Sequence, residues 1–397
     1  MQRMKKKTFG AALIVAGTSI GAGMLALPVA TSAGGFFPAL FVYVVCWALM
    51  TISGLFILEI ALKMPEGSNL VSMARKYLGA PGQILSWILY LFLFYSLSTA
   101  YISLGGSLLA DWMQSSSLVG SWLFLVFFGG IVFLGASFVD KLNELLMLGL
   151  FVSYAGFLFL GWSSVHPSYL LRSDIVAALP ALPIIFTAFS YQGTVPSLTT
   201  YLNRDKKELK KAIILGTSLV FVVYVIWQAL ILGIIPYEGD AGLQQAKKLG
   251  ESAVQPLRYQ NVPGPIYLIG ECFSFFAIAT SFLGVTMGLF DFLADGLHVR
   301  KTLLGKIFLG FVTFLPSAFI AMSNPSIFFA ALDYAGGFGC STLLVLFPTL
   351  MILVSRYSMQ EQDSGMVVLS KSLLFALLLL VSLGILYQIF HVIARFF

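Results

Sequence analysis

The chain has 397 residues, 59% of them hydrophobic and 10% charged, with a mean hydropathy of +0.93 and a formal net charge of +6. Soluble domains average about 25% charged residues, and a water-facing surface cannot be assembled from so few, so the apolar surplus has to face lipid. The positive charge is scattered over short segments with no basic face on a soluble domain, which argues against a nucleic-acid partner. Cys46, Cys272 and Cys340 lie in apolar runs, and His166, His298 and His391 are far apart. Neither a disulfide framework nor a metal or other cofactor is expected from them.

Arg3, Lys5, Lys6 and Lys7 precede an apolar run ending near Thr31-Ser32-Ala33, which mimics a secretory signal. The run is long, holds internal glycines and is followed by many more, so it reads as a first retained helix. A helix needs about 20 apolar residues to cross roughly 30 Å of hydrocarbon. Eleven runs of that kind follow one another: 8–33, 35–60, 83–110, 118–139, 143–164, 175–202, 211–236, 264–294, 303–322, 326–355 and 367–394. The ninth and tenth are parted only by the turn signal Ser323-Asn324-Pro325-Ser326. Each run is continuously apolar, without the alternation of a barrel strand, and lipid demands that backbone groups pair within the segment, so an all-α membrane protein is expected. The longest polar stretch, Tyr237 to Pro263, carries a short helical pattern from Gly242 to Gln255, either a surface loop or a lid over a vestibule.

Lysine and arginine set orientation. With the N-terminus in the cytoplasm, Arg172, Lys247, Lys248, Arg258 and Arg395 fall outside, and the other 18 of the 23 fall inside. That asymmetry predicts a cytoplasmic N-terminus and a C-terminus on the far side.

Two spans are interrupted. The first holds Gly17-Thr18-Ser19-Ile20-Gly21-Ala22-Gly23-Met24 and then Pro28; the sixth holds Pro180, Pro183 and then Ser190-Tyr191-Gln192-Gly193-Thr194-Val195-Pro196-Ser197. An interior glycine costs about 1 kcal/mol against alanine and an interior proline about 3, so breaks are expected at both. Gly17 and Gly21 also form a G-x-x-x-G contact pattern, but a lone packing pair would have no counterpart five spans later. Freed N–H groups at a half-helix N-terminus bind a carboxylate, and freed carbonyls accept an ammonium. Breaks at positions one and six fit a five-plus-five inverted repeat: about 8–164, about 175–355, and an extra helix at about 367–394 in a single transporter domain.

The strings Gly17 to Pro28 and Phe189 to Leu198 resemble the first- and sixth-span signatures of the hydroxy and aromatic amino acid permease family, the group of tyrosine- and tryptophan-specific permeases. The resemblance spans the chain and is nearest the tyrosine branch. It implies the amino acid–polyamine–cation superfamily fold, uptake across the inner membrane and proton coupling. The family often has histidine where this chain has Gln192, which puts any proton role at that position in doubt.

The expected substrate contacts are Gly17, Thr18, Ser19, Ile20, Gly21, Ala22, Gly23, Phe189, Ser190, Tyr191, Gln192 and Gly193. Tyr95, Ser98, Thr99 and Tyr101 on the third span are candidates for the side-chain pocket, against a background of 36 phenylalanines and 16 tyrosines that mostly pack. Acids inside spans are expensive and usually functional. Glu271 and Asp333 are candidates for a titrating group or gate, whereas Glu59 and Asp295, near span ends, read as structural. Thr280 and Ser281 could contribute to a sodium site, although a mid-membrane hydroxyl more often bonds back to its own helix. The expectation is import of an aromatic amino acid by proton symport with alternating access. Sodium coupling, or another neutral amino acid such as serine or threonine, is the alternative. A channel would need a continuous polar pore, an enzyme a cluster of chemically spaced side chains, and a receptor an appended signalling domain; none is legible.

Overall fold

The computed structural model describes residues 2–260, 262–361, 365–367 and 369–393, with side chains for all of these except 2–5 and 391. Arg395 lies outside the described residues. Fourteen helical elements frame the chain: α1 Gln2–Ser19, α2 Ala22–Thr31, α3 Phe36–Leu62, α4 Leu70–Met113, α5 Ser117–Leu134, α6 Ala136–Gly161, α7 Leu182–Ala188, α8 Val195–Tyr201, α9 Lys206–Ile234, α10 Leu243–Leu249, α11 Gly264–Gly296, α12 Leu303–Ser323, α13 Phe328–Ser358 and α14 Lys371–Ile393. Short turns at Ile175–Ala178 and Leu179–Ala181 lead into α7. The described residues contain no strand.

Among the described residues ten spans and one bent pair are long and apolar enough to cross a membrane, which matches the eleven runs of the sequence. Their outward faces carry large apolar side chains, among them Phe159 (85% exposed), Leu304 (79%) and Phe390 (71%). Such faces are tolerable only in hydrocarbon. The chain is therefore a multi-pass membrane protein.

Helix ends follow local chemistry. Asn69 and Ser72 close a capping box at the start of α4. Asp205 accepts the Lys207 and Glu208 N–H groups at the start of α9. Each cap satisfies donors that the first turn leaves orphaned.

Three details depart from the expected boundaries. The turn between the fourth and fifth spans is at Gly135, not at 140–142, so Lys141 sits inside α6. Gly135 adopts φ +115°, which other residues rarely reach, and this outweighs the charged pair Asp140-Lys141 as a break signal. The third span starts earlier: α4 runs from Leu70 through a kink at Gly79 and Pro81. Within α13, residues Ala335–Leu346 wind as a π-helix. There Gly336 lies against the Pro183 backbone of α7 and Gly337 against Gln388 of α14, so the small residues let three segments converge.

At one end of the bundle the fully buried Glu59 carboxylate receives Arg356 Nε at 3.1 Å, Arg356 Nη2 at 2.7 Å and Lys63 Nζ at 3.3 Å. Next to it Glu361 accepts from Lys76 at 2.9 Å, Tyr77 at 2.8 Å and Ser355 at 2.8 Å. Arg204 donates to the carbonyls of Ala61, Leu62 and Met64, closing the end of α3. Charges without these partners would not tolerate such burial.

Candidate functional site

The first span breaks at Ile20-Gly21, and its two halves, α1 and α2, meet at 57°. Gly21 is extended (φ −169°, ψ −152°), and α2 begins after it with no side-chain cap. The Ala22 N–H is taken by Ser281 Oγ of α11 at 2.9 Å. A Cβ on Gly21 would overlap that same hydroxyl, so any larger residue here displaces Ser281 from the Ala22 N–H. Gly23 rests on Ala188 of the other broken span, its Cβ position 3.2 Å from the Ala188 Cα, and Gly17 faces the methyl of Met147. Thr18 bonds back to Ile14 O at 2.7 Å, whereas Ser19 Oγ reaches across to Ser190 O at 3.4 Å.

The sixth span breaks between Ala188 and Val195. Phe189 to Tyr191 leave the helix, and Gln192–Thr194 form a single 3₁₀ turn. Gln192, fully buried, supports this break. Its Oε1 accepts from the Tyr191 N–H at 2.9 Å and its Nε2 donates to Met50 O of α3 at 3.2 Å. The Tyr191 hydroxyl donates to the same Met50 carbonyl at 3.3 Å, against Gly54. Both side chains thus point at α3, and Gln192 acts as the partner that the unwound backbone needs in a membrane. Ser190 Oγ turns back to Thr187 O at 2.7 Å. Phe189 is the aromatic that faces inward, edge-on to Tyr224 at 5.0 Å and to Tyr43 at 6.2 Å.

Tyr224 and Trp227 of α9 join the two breaks, and neither is distinguished by the sequence. The buried Tyr224 hydroxyl lies 2.6 Å from Ser19 O, at the end of α1, and 2.8 Å from Ala188 O, at the end of α7. Trp227 Nε1 donates to Met24 O at 3.0 Å. A further chain, Tyr43 to Gln228 at 2.7 Å and Gln228 to Thr31 at 2.7 Å, fixes α2 against α3 and α9. Each of these residues is one aromatic or amide in an uninterrupted apolar span, so no local signal marks it.

The remaining predicted residues divide. Tyr101 is buried on α4. Ser98, three residues earlier, is buried and its hydroxyl has no hydrogen-bond partner among the described residues. Thr99 is buried. Tyr95 turns away, donating to Val312 O of α12 at 2.8 Å. Thr280 bonds back to Phe276 O at 2.8 Å in its own helix. Glu271, buried on α11, accepts from Tyr267 one turn earlier. Asp333 accepts from Gln388 of α14 at 2.8 Å, on the flank of α13 that packs on that helix. Among the described residues no group of three His, Cys, Asp or Glu side chains could hold a metal ion.

Burial differs between the two sides of the breaks. Every residue from Ala22 to Thr31 is buried, and Ala253, in the segment after α10, donates its N–H to Leu25 O at 3.1 Å. Toward the N-terminal end, Thr18, Gly193 and Gly284 are exposed. The arrangement offers an anion the start of α2, one of whose N–H groups Ser281 already takes, a cation the carbonyls at two helix ends and an apolar body the surrounding rings.

Comparison with known proteins agrees with this geometry. Residues 4–391 match the model of the tryptophan/tyrosine permease family. A tryptophan-specific transport protein of Haemophilus influenzae is 32% identical over 90% of this chain and 89% of its own length. The tyrosine-specific transport system 1 of the same organism is 34% identical over 83% of this chain and 84% of its own. A crystal structure of MhsT in complex with L-phenylalanine covers 96% of this chain and 98% of its own with a TM-score of 0.63 at 14% identity, which shows a shared fold. The chain belongs to the tryptophan/tyrosine permease family, membrane transporters rather than enzymes.

Proposed function

We propose that this protein imports tyrosine, tryptophan or both across the inner membrane by proton symport, with its N-terminus in the cytoplasm. The observation that carries the reading is the pair of unwound segments facing each other across a buried aromatic wall. The substrate carboxylate meets the free N–H groups at the start of α2, around Gly21 and Gly23. The ammonium faces the carbonyls that end α1 and α7. Each carbonyl has two lone pairs, so Tyr224 fixes them and still leaves room for a second donor. Phe189 and Tyr101 wall the ring, with the Ser98 hydroxyl on the same face of α4 as Tyr101. The names of the relatives and the amino acid bound to MhsT favour an aromatic substrate.

The two repeats, one ending with α6 and one starting before α7, provide alternating access. The unwound spans α1–α2 and α7–α8 rock against the rest around the fixed site. Burial of α2 beneath the segment after α10, with Thr18 and Gly193 exposed on the other side, fits the inward-facing end of that cycle. Glu271, buried with Tyr267 on α11, is the acid assigned to coupling.

Reconstitution into proteoliposomes, with pH and sodium gradients imposed separately, tests the proposal. Labelled tyrosine accumulates under an inward proton gradient and is indifferent to sodium. Excess tryptophan and phenylalanine compete and serine does not. Uptake under neither gradient sinks the reading, and competition by serine alone moves it to a small neutral substrate.

A further inference from the structure

The first half of the interrupted first span, α1, runs beside α9 and in the same direction. Thr8 Oγ1 donates to Glu208 Oε2 at 2.6 Å, and further along a Cβ on Gly216 would press on the Ala12 carbonyl and the Val15 side chain. In that register Lys6 is level with the start of α9. Both helices are right-handed and parallel, so Phe9, one residue after the contact on α1, and Lys207, one residue before it on α9, turn toward the same side. Helical spacing extends each into a stripe: Lys6, Phe9 and Leu13 on α1, and Lys207, Lys211 and Leu215 on α9. All six are exposed. The two stripes flank one lipid-facing groove, with lysines at its mouth and apolar side chains below.

The cations at this end of the bundle divide. Lys63, Lys76, Arg204, Lys210 and Arg356 donate to carboxylates or carbonyls of the bundle itself. Lys6 and Lys207 have no side-chain partner among the described residues, and Lys211 shares the Glu208 carboxylate with Thr8. Lys207 also stands in the first turn of α9, where a cation opposes the dipole of its own helix. Asp205 already takes the N–H groups of that turn, so an anion arriving here is met by side chains. Packed helices lie about 8–10 Å apart, a gap that two lysine side chains span to meet on one phosphodiester. Beneath them Phe9, Leu13 and Leu215, 60%, 47% and 54% exposed, form a rail for an acyl chain. We propose that this groove binds one anionic phospholipid, its phosphate between Lys6 and the Lys207–Lys211 pair and its acyl chain along the rail. Lysines clustered beside a span attract net negative headgroups, whereas a zwitterionic headgroup brings its own ammonium to the same place. The lipid pins α1 to α9. On the reading that α1 moves during transport, the anionic fraction of the membrane then sets how readily it leaves.

The test is native mass spectrometry of the full chain released from vesicles of equal phosphatidylglycerol and phosphatidylethanolamine. The wild type retains one phosphatidylglycerol in preference. Lys6→Gln with Lys207→Gln, both on the surface, retains it less well by about fivefold per lysine, roughly thirtyfold for the pair. Lys141→Gln with Arg300→Gln removes two other exposed charges from the same end and keeps the wild-type preference. Equal retention of the two lipids by the wild type, an unchanged preference in the first double variant, or an equal loss in the second overturns the proposal. So does displacement of the lipid by an equal concentration of glycerophosphoglycerol, the same headgroup without acyl chains. In proteoliposomes the wild-type maximal rate of tyrosine uptake falls as the phosphatidylglycerol fraction rises, and that of Lys6→Gln with Lys207→Gln stays level. A wild-type rate indifferent to that fraction overturns the pinning of α1, whereas retention read by mass stands or falls without any transport.

Discussion

Replacing Tyr224 by phenylalanine removes a single oxygen and keeps the ring, so the edge-on contact with Phe189 at 5.0 Å survives. What disappears is the hydroxyl that sits 2.6 Å from Ser19 O and 2.8 Å from Ala188 O. These carbonyls end the helical halves on either side of the site, and Tyr224 is fully buried, so water cannot replace the donor. A buried acceptor left unsatisfied costs about 1–3 kcal/mol. If that cost falls on the geometry of the binding-competent state, the apparent affinity for substrate drops by roughly 5- to 150-fold, at 1.4 kcal/mol per factor of ten. The assay is initial-rate uptake of labelled tyrosine and tryptophan by Tyr224→Phe in proteoliposomes, with the melting temperature in detergent measured in parallel. The expected result is a KM raised at least about fivefold and a lower melting temperature. A variant with KM within about twofold of wild type and unchanged melting would refute the idea that one hydroxyl holds the two breaks in register.

Gly21→Ala places a methyl on the Ser281 hydroxyl and abolishes uptake; Gly21→Ala with Ser281→Ala removes the overlapping oxygen and recovers part of it in the same assay. Arg356→Met leaves Glu59 charged, buried and short of its bidentate partner, a loss of about 3–5 kcal/mol; adding Glu59→Gln restores much of the melting temperature, and a double variant no more stable than the single contradicts the pairing. Outside the membrane, burial alone would raise the Glu361 carboxyl, but hydrogen bonds from Lys76, Tyr77 and Ser355 and the Lys76 charge outweigh it and bring the group down to about 2. A lowered folded-state value means the stabilisation is complete above the ordinary value of 4.5 and is lost as pH falls from there toward 2. Wild-type melting temperature should therefore decline over that window more steeply than that of Glu361→Gln; parallel profiles would contradict the network.

The spans were legible because lipid imposes one solution on every apolar run of sufficient length, and the breaks because three glycines in the first span, and prolines around Gly193 in the sixth, fall where a helix can least afford them. Boundaries that depend on one backbone conformation were harder to read: Gly135 competed with the more conspicuous Asp140-Lys141, and the π-helical Ala335–Leu346 depends on what Gly336 and Gly337 touch. Neighbours in sequence also part company in space. Phe189 packs between Tyr43 and Tyr224 while Tyr191 and Gln192 bond to the Met50 carbonyl, because an unwound segment loses the periodicity that would assign faces. Tyr224 was invisible for the opposite reason: it sits in a regular helix as one tyrosine among 16, and its importance lies in carbonyls 205 and 36 residues away. Glu59 reads as structural from its place near a span end, but its partner Arg356 lies 297 residues later, a pairing that only the packing of α3 on α13 reveals.

The central claim is that the two interrupted spans grip the zwitterion with bare peptide groups. A structure determined with bound tyrosine tests it most directly. The account predicts the carboxylate at the N–H groups of Gly21 and Gly23, the ammonium at the carbonyl ends of α1 and α7, and the ring against Phe189 and Tyr101. Tyrosine found only elsewhere, with the space between α2 and α7 closed, would contradict it.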